Sequence, residues 1–360
     1  MAIIMKKQLL ENMGRRIKMA REMRGMSLEA LSKAMSPSVT KQAISKYEKG
    51  LAIPGSAVVL ALSNALNVAV DYFFRQQIVT ISKIAFNKKS SLNASQAKAI
   101  NEIVRDHVER YLEAVQLTGG QIPALSTIWP KSVANEQAIG AMVKELKQSW
   151  NIGECALGNV IEILEQHGII VIEIGDNGGF RGLSGWVDET YPIIVINKSL
   201  NYESKRFTAL HELGHILIAA DHDEKKMEKL CNTFAGEMLI SDERLKEILG
   251  IKVKELFINE LENVRDSYGI SIDTLLAKMQ RVGVVSKSAY KAYIQKRSSD
   301  NNLRNRVEQS SKAKAESSHK FVNMVCRALS LDAISFSKAA SLLNISMMDL
   351  RTMLTPLAES

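Results

Sequence analysis

The stretch RFTALHELGHILI, Arg206 to Ile218, sets two of the chain's six histidines four residues apart, with a glutamate directly after the first. Four residues turn an α-helix through about 400°, so His211 and His215 point the same way, one turn apart. Two neutral imidazoles so placed suit one Zn²⁺ at about 2.0–2.1 Å each. Glu212, about 100° farther round the helix, is positioned to take a proton from water at such a metal. Leu210, Leu213, Gly214 and Leu217 recur at i, i+3, i+4 and i+7, which gives the same helix an apolar side to bury. The bland alternative is an amphipathic surface helix with a wet polar face. Gly214 speaks against it: glycine costs about 1 kcal/mol in a helix interior, so its presence suggests a close approach to the backbone.

Two histidines need a third ligand. The metzincin pattern wants glycine three and histidine six residues beyond His215, but Ile218 and Asp221 stand there. The following segment, EKKMEKLCNTFAGEMLIS, carries Met227, Leu230, Cys231, Phe234, Ala235, Met238 and Leu239 at helical spacing, with Glu228 and Asn232 together on the flank of that face. A carboxylate leaning from a second packed helix would complete a His₂Glu site with one open position. Glu228 is the better candidate; Asp221, His222, Asp223 and Glu224 are rivals in a polar loop.

Charge points to a second activity. Residues 1–75 hold twelve Lys and Arg against five Asp and Glu, a net +7 of the chain's +8. Basic charge so concentrated favours a polyanion through counterion release. The same region reads as short helices: Met13 to Arg24 ended by Gly25, SLEALSKAMS capped by Ser27, TKQAISKYEKG with Ala43, Ile44 and Tyr47 inward, then one or two more after Pro54. Helices joined by tight turns with a polar face on the third make a helix-turn-helix, and Lys41, Gln42, Ser45 and Lys46 would face the DNA. Gln reads adenine, Lys reads guanine or phosphate, and Ser reads either. No apolar run reaches membrane-spanning length, and the first residues do not form an export signal. The odd, scattered Cys155, Cys231 and Cys326 suggest a reducing cytoplasm and offer no CxxC pair.

These motifs carry two family resemblances. AISKYEKGLAIP followed by LSNALNVAVDYFF resembles the lambda-repressor-like (Xre) DNA-binding family over about residues 9–75. Leu28 stands where that family usually has a phosphate-clamping glutamine, and the turn AMSPSVTKQ is longer than usual. GLSGW, PIIVIN, RFTALHELGH and E-x-x-x-N-x-FA-x-E-x-L, in that order, resemble the ImmA/IrrE metallopeptidases over roughly residues 133–245, and so does LKQSWNIG…IEILEQHGIIVIEI before them. That resemblance implies zinc on His211, His215 and Glu228, with Glu212 as general base. Asn232, on the same flank as Glu228, is expected behind the ligands. It also implies a protein substrate of narrow specificity, typically a repressor. Ser241 and Cys231 replace the family's usual proline and alanine without touching the ligands.

The expected fold is α+β and mostly α: a five-helix lambda-repressor-like DNA-binding domain, a zincin-like domain with a small sheet and the HExxH helix, then C-terminal helices. Boundaries are expected at 1–75, a helical connector at 76–132, the metallopeptidase domain at 133–250, a helical extension at 251–297, a polar linker at 298–319 and a helical hairpin at 320–360. IIVIEI and PIIVIN read as strands joined by the glycine-rich GDNGGFRGLSGW; the resemblance implies that Leu183 to Trp186 lies near an exposed edge that would hold an extended peptide by backbone pairing, the alternative being a plain surface hairpin. The sequence thus supports a cytoplasmic operator-binding regulator, expected as a homodimer, with a zinc endopeptidase domain. The competing class is a repressor or antitoxin-like regulator whose zinc fold senses or binds and cuts nothing. The presence of Glu212 favours the enzyme.

Overall fold

Capping residues start the N-terminal helices where the sequence placed them. The computed structural model describes residues 2–75, 79–85, 92–125, 129–175, 179–219, 221–253, 255–311, 313 and 316–354. Helices α1 (Ala2–Met23), α2 (Leu28–Ala34), α3 (Lys41–Glu48) and α4 (Ser56–Leu66) precede a 3₁₀ turn at Val70–Phe74. Ser27 accepts from the Ala30 N–H and Thr40 from the Ala43 N–H, pairing first-turn donors that have no partner within the helix. Ile17, Leu31, Ile44, Leu62 and Phe73 meet in one core. Two details differ from expectation. α1 begins at Ala2 rather than near Met13, because nothing before Gly14 breaks a helix. The fifth element is a five-residue 3₁₀ turn, Val70–Phe74, that follows the left-handed Asn67 ending α4.

The rest of the chain wraps a four-stranded sheet. In order come β1 (Ile81–Ala85), α5 (Ala94–Leu117), α6 (Gln137–Ser149), α7 (Val160–Gln166), β2 (Ile170–Ile174), β3 (Gly182–Val187), β4 (Tyr191–Asn197), α8 (Tyr202–Leu217) and α9 (Glu224–Leu239). Then follow α10 (Asp242–Leu249), α11 (Ile258–Tyr268), α12 (Ile272–Arg281), α13 (Lys287–Ser299), α14 (Asn301–Glu308), α15 (Lys320–Ser330), α16 (Phe336–Leu343) and α17 (Met347–Met353). The strand order is β1-β3-β4-β2, with β2 and β4 parallel and the other neighbours antiparallel. Strand side chains alternate between two cores, as a period of two requires. Val171, Ile194 and Ile196 face α8 and α9; Ile170, Ile172, Leu183, Val187, Ile193 and Val195 face α5 and the C-terminal helices.

That sandwich corrects several expectations. The connector, expected to be helical, also supplies strand β1, and its helix α5 packs on the sheet with Ile100, Val104 and Val108 wholly buried. GLSGWV, read as part of a glycine-rich joint, is an inner strand; the joint's residues 176–178 lie outside the described residues. The edge expected at Leu183–Trp186 is not exposed, because β1 pairs along it. The helical extension shares the α8–α9 core through Leu261, Val264, Leu275 and Met279. Within the polar linker, α14 forms and Glu316 is buried. The C-terminal hairpin has three helices, and its expected residues 355–360 lie outside the described residues. No described helix is long and apolar enough to cross a membrane.

Candidate metal centre and DNA-facing helix

Helix α8 starts at Asn201, whose side chain accepts from the Ser204 N–H. Leu210, Leu213 and Leu217 lock it into the core, and that orientation turns His211 and His215 toward α9. The two helices lie close because Gly214 has no Cβ: one placed there would sit 3.2 Å from Cys231 Cα, Cβ and Sγ. The close approach inferred from Gly214 is therefore to α9.

The geometry between them is convergent. His215 Nε2 lies 3.2 Å from His211 Nε2 and 3.3 Å from Glu228 Oε1, and His211 Nε2 is 3.8 Å from Glu228 Oε2. Among the described residues, these three form the group of acidic, histidine or cysteine side chains able to hold a metal ion, with ligand atoms within 4.8 Å of one another. Ligands at about 2.0–2.1 Å in a tetrahedron stand about 3.3–3.4 Å apart, so the spacing and the N₂O donor set both fit zinc. His211 Nδ1 is 3.0 Å from Asn232 Oδ1. With Nδ1–H donating there, the Nε2 lone pair faces the group, an arrangement typical of ligating histidines.

The rival side chains at 221–224 stand apart from this group. Asp221 accepts from Ser132, His222 Nε2 bonds the Val133 carbonyl at 2.6 Å, and Asp223 caps α9 at Lys226 N. Glu224 is the exposed first residue of α9.

Glu212 sits on the sheet side of the helix, almost fully buried. Ser184 Oγ of β3 donates to its Oε2 at 2.9 Å. Burial pushes its pKa up to about 7, against the downward pull of His211 and Ser184. For His211, burial acts downward but Glu228, Glu212 and Asn232 outweigh it, and the net shift is upward. Burial and then the neighbouring His211 drive His215 down to about 4, which keeps its ring neutral and able to ligate. Gly182 makes room for the carboxylate: a Cβ there would lie 2.5 Å from Thr208 Cγ2 and 3.1 Å from Glu212 Cγ. Ser184 was missed as a partner of Glu212, since nothing local ties the two. A cleft of about 440 Å³ opens beside Asn232, lined also by Phe207, Lys229, Thr233, Ala277 and Lys278.

On α3, Lys41, Gln42 and Lys46 are exposed and Ser45 is half-buried, while Ile44 is fully inside. The four side chains lie on the helix that the pattern selects.

Comparison with known proteins follows the same division. Residues 17–73 match the helix-turn-helix family, and residues 164–280 match the IrrE N-terminal-like domain, peptidase family M78. Regions similar to the two families thus follow one another along the chain. The second match ends thirty residues beyond Gly250, in keeping with α11 and α12 belonging to the α8–α9 core. An uncharacterized HTH-type transcriptional regulator of Sinorhizobium fredii is 37% identical over 82 residues, 23% of this chain and 54% of that protein. Uncharacterized HTH-type transcriptional regulators of Sinorhizobium medicae and Rhizobium meliloti are each 41% identical over 63 residues, 18% of this chain and 44% of theirs. The chain thus spans about half the length of the curated relatives it matches.

Proposed function

We propose that this chain is a DNA-binding transcriptional regulator whose IrrE-like domain is a zinc-dependent endopeptidase acting on a specific partner protein, a repressor by resemblance. The observation that carries the reading is the convergence of His211, His215 and Glu228 beside a buried Glu212. His211, His215 and Glu228 would hold the zinc, which when bound supplies Lewis acidity to a peptide carbonyl and to water. Glu212 takes the proton from the attacking water and delivers it to the leaving amine. Ser184 holds Glu212 in place through the Oε2 hydrogen bond, and Asn232 fixes the His211 tautomer. Lys41, Gln42, Ser45 and Lys46 would meet base edges and phosphates of an operator, with a second copy on a paired half-site.

Metal analysis of the purified chain tests the centre: wild type is expected to hold about one zinc per chain and His211→Ala far less. Zinc content equal in the two proteins removes the site. Glu212→Gln then separates enzyme from sensor. It is expected to keep zinc and DNA binding but to stabilise the partner protein; unchanged regulation would favour the non-proteolytic reading, consistent with relatives described only as regulators.

A further inference from the structure

A peptide reaching Glu212 would use the outer edge of β3, and residues 81–85 already lie along it. Because Ser184 donates to Glu212, the base rests against β3 itself. Neighbouring strands stand about 4.8 Å apart. A peptide paired directly with β3 would run beside Ser184. One added outside β1 would lie a full strand spacing farther, beyond the roughly 3 Å that proton transfer needs. β1 therefore fills the productive position and does not merely widen the platform.

The seating of β1 is that of a replaceable strand. Ile81 opposes Val187, Ser82 opposes Trp186 and Ala85 opposes Ser184. Lys83 and Ile84 thus share the single residue Gly185, a bulge that interrupts the ladder. Ile81 is only partly buried against the α5 side, and Ser82 Oγ is shielded from solvent with no hydrogen-bond partner among the described residues. The firm holds lie at one end. The Thr80 carbonyl accepts from the Asp188 N–H and the Thr80 N–H donates to Asp188 Oδ1, while Val79 is bonded to Glu109 and Arg105 of α5.

We infer that the β3 edge is a docking slot for an extended peptide, and that β1 occupies it in cis as an internal stand-in. The inference rests on the peptidase reading above. The stand-in also describes the partner: a chain antiparallel to β3, with an apolar side chain opposite Val187 and a small polar one opposite Trp186. Substrate entry requires β1 to peel away from its Val79 anchor.

Amide hydrogen exchange on the full-length wild-type chain gives the first test. The β1 amides and the β3 amides facing them are expected to exchange at least about tenfold faster than the β3–β4 ladder. Protection equal to that ladder would make β1 a permanent part of the sheet and overturn the proposal. The second test titrates fluorescein-labelled VTISKIA, the Val79–Ala85 peptide, into two full-length proteins that both carry Glu212→Gln, with binding read by anisotropy. The protein that also carries Ile81→Asp and Ser82→Pro is expected to bind at least about tenfold tighter than the one that does not, because its slot is free. Equal binding, or none by a folded released variant, overturns the slot; if that variant does not fold, the exchange result decides. Neither readout needs metal or cleavage, so a failed peptidase assay and a failed slot are told apart.

Discussion

Gly214 and Gly182 show how much of the site depends on missing atoms. Alanine at 182 would drive its Cβ to 2.5 Å from Thr208 Cγ2, on strand β3 where helix propensity offers no compensation. Gly182→Ala is expected to cost roughly 2–3 kcal/mol through overpacking. Gly214→Ala meets Cys231 at 3.2 Å, but alanine's helix preference of about 1 kcal/mol offsets part of that strain, so it should cost less. Urea midpoints of the two variants check the order, and the reverse order would refute this account of the close approaches. On the DNA side, exposed Lys46 is expected to act on phosphate. Lys46→Ala should weaken binding to a mixed-sequence duplex and lower the slope of log affinity against log salt by about 0.9, as read by anisotropy across a salt series. That His211 and His215 share a face was legible at this scale because helical spacing is local. Ser184 was not, being 28 residues from Glu212 on another element.

Among the elements, α7 and the segment before α15 form a buried polar joint. Glu165, at 3% exposure, accepts from Ser318 Oγ, and Lys320 Nζ donates to the Glu165 carbonyl. Burial pushes the Glu165 carboxyl up to about 7, against the opposing influence of Ser318 and Lys320. A carboxyl whose pKa rises on folding stabilises the native state fully below its unfolded value of 4.5, and that contribution is lost as pH climbs through about 7. Glu165→Gln has no proton to lose. Its stability relative to wild type is therefore expected to improve between pH 4.5 and pH 7.5 by on the order of 1–3 kcal/mol. Urea unfolding of both proteins at the two pH values measures this, and a constant difference would show that Glu165 does not titrate on folding. Elements with strong periodicity, α8 and α9 above all, could be read from the chain. β1 and β3 could not: ISKIA is short, and GLSGWV carries two glycines that disfavour a strand until neighbours pair with it.

For the molecule as a whole, the C-terminal segment is a strap rather than a tail. Described residues on either side of 312–315 hold the N-terminal half of α8: Ser310 and Ser311 donate to Glu203, Lys205 donates to the Glu316 carbonyl, and Arg206 pairs with the Glu316 carboxylate. Arg206 is 1% exposed and lies five residues before His211. Beyond the strap, α16 reaches the DNA-binding domain, where Ser341 bonds Asp71 and Arg75, and buried Arg16 of α1 pairs with Glu109 of α5. Removing Glu316 would strand a buried guanidinium, a loss of about 3–5 kcal/mol. Glu316→Ala is expected to lower the urea midpoint accordingly, with Glu316→Gln intermediate; an unchanged midpoint would mean that the strap is not bound where it lies. The sequence of residues 298–319 reads as a polar linker, a reading that leaves no member of it inside the core. Glu316 is the exception because its partner lies 110 residues away.

The sequence alone determined what repeats within a turn or two of helix: the paired imidazoles, the carboxylate on the next helix's flank, the capped N-terminal helices and their basic charge. Such features follow from a rise and rotation fixed by the backbone. The tertiary structure alone decided which strand edges are covered, which carboxylate meets Arg206 and what stands beside Glu212. Those contacts join residues far apart in the chain, and their free energy exists only once the intervening segments have closed on one another.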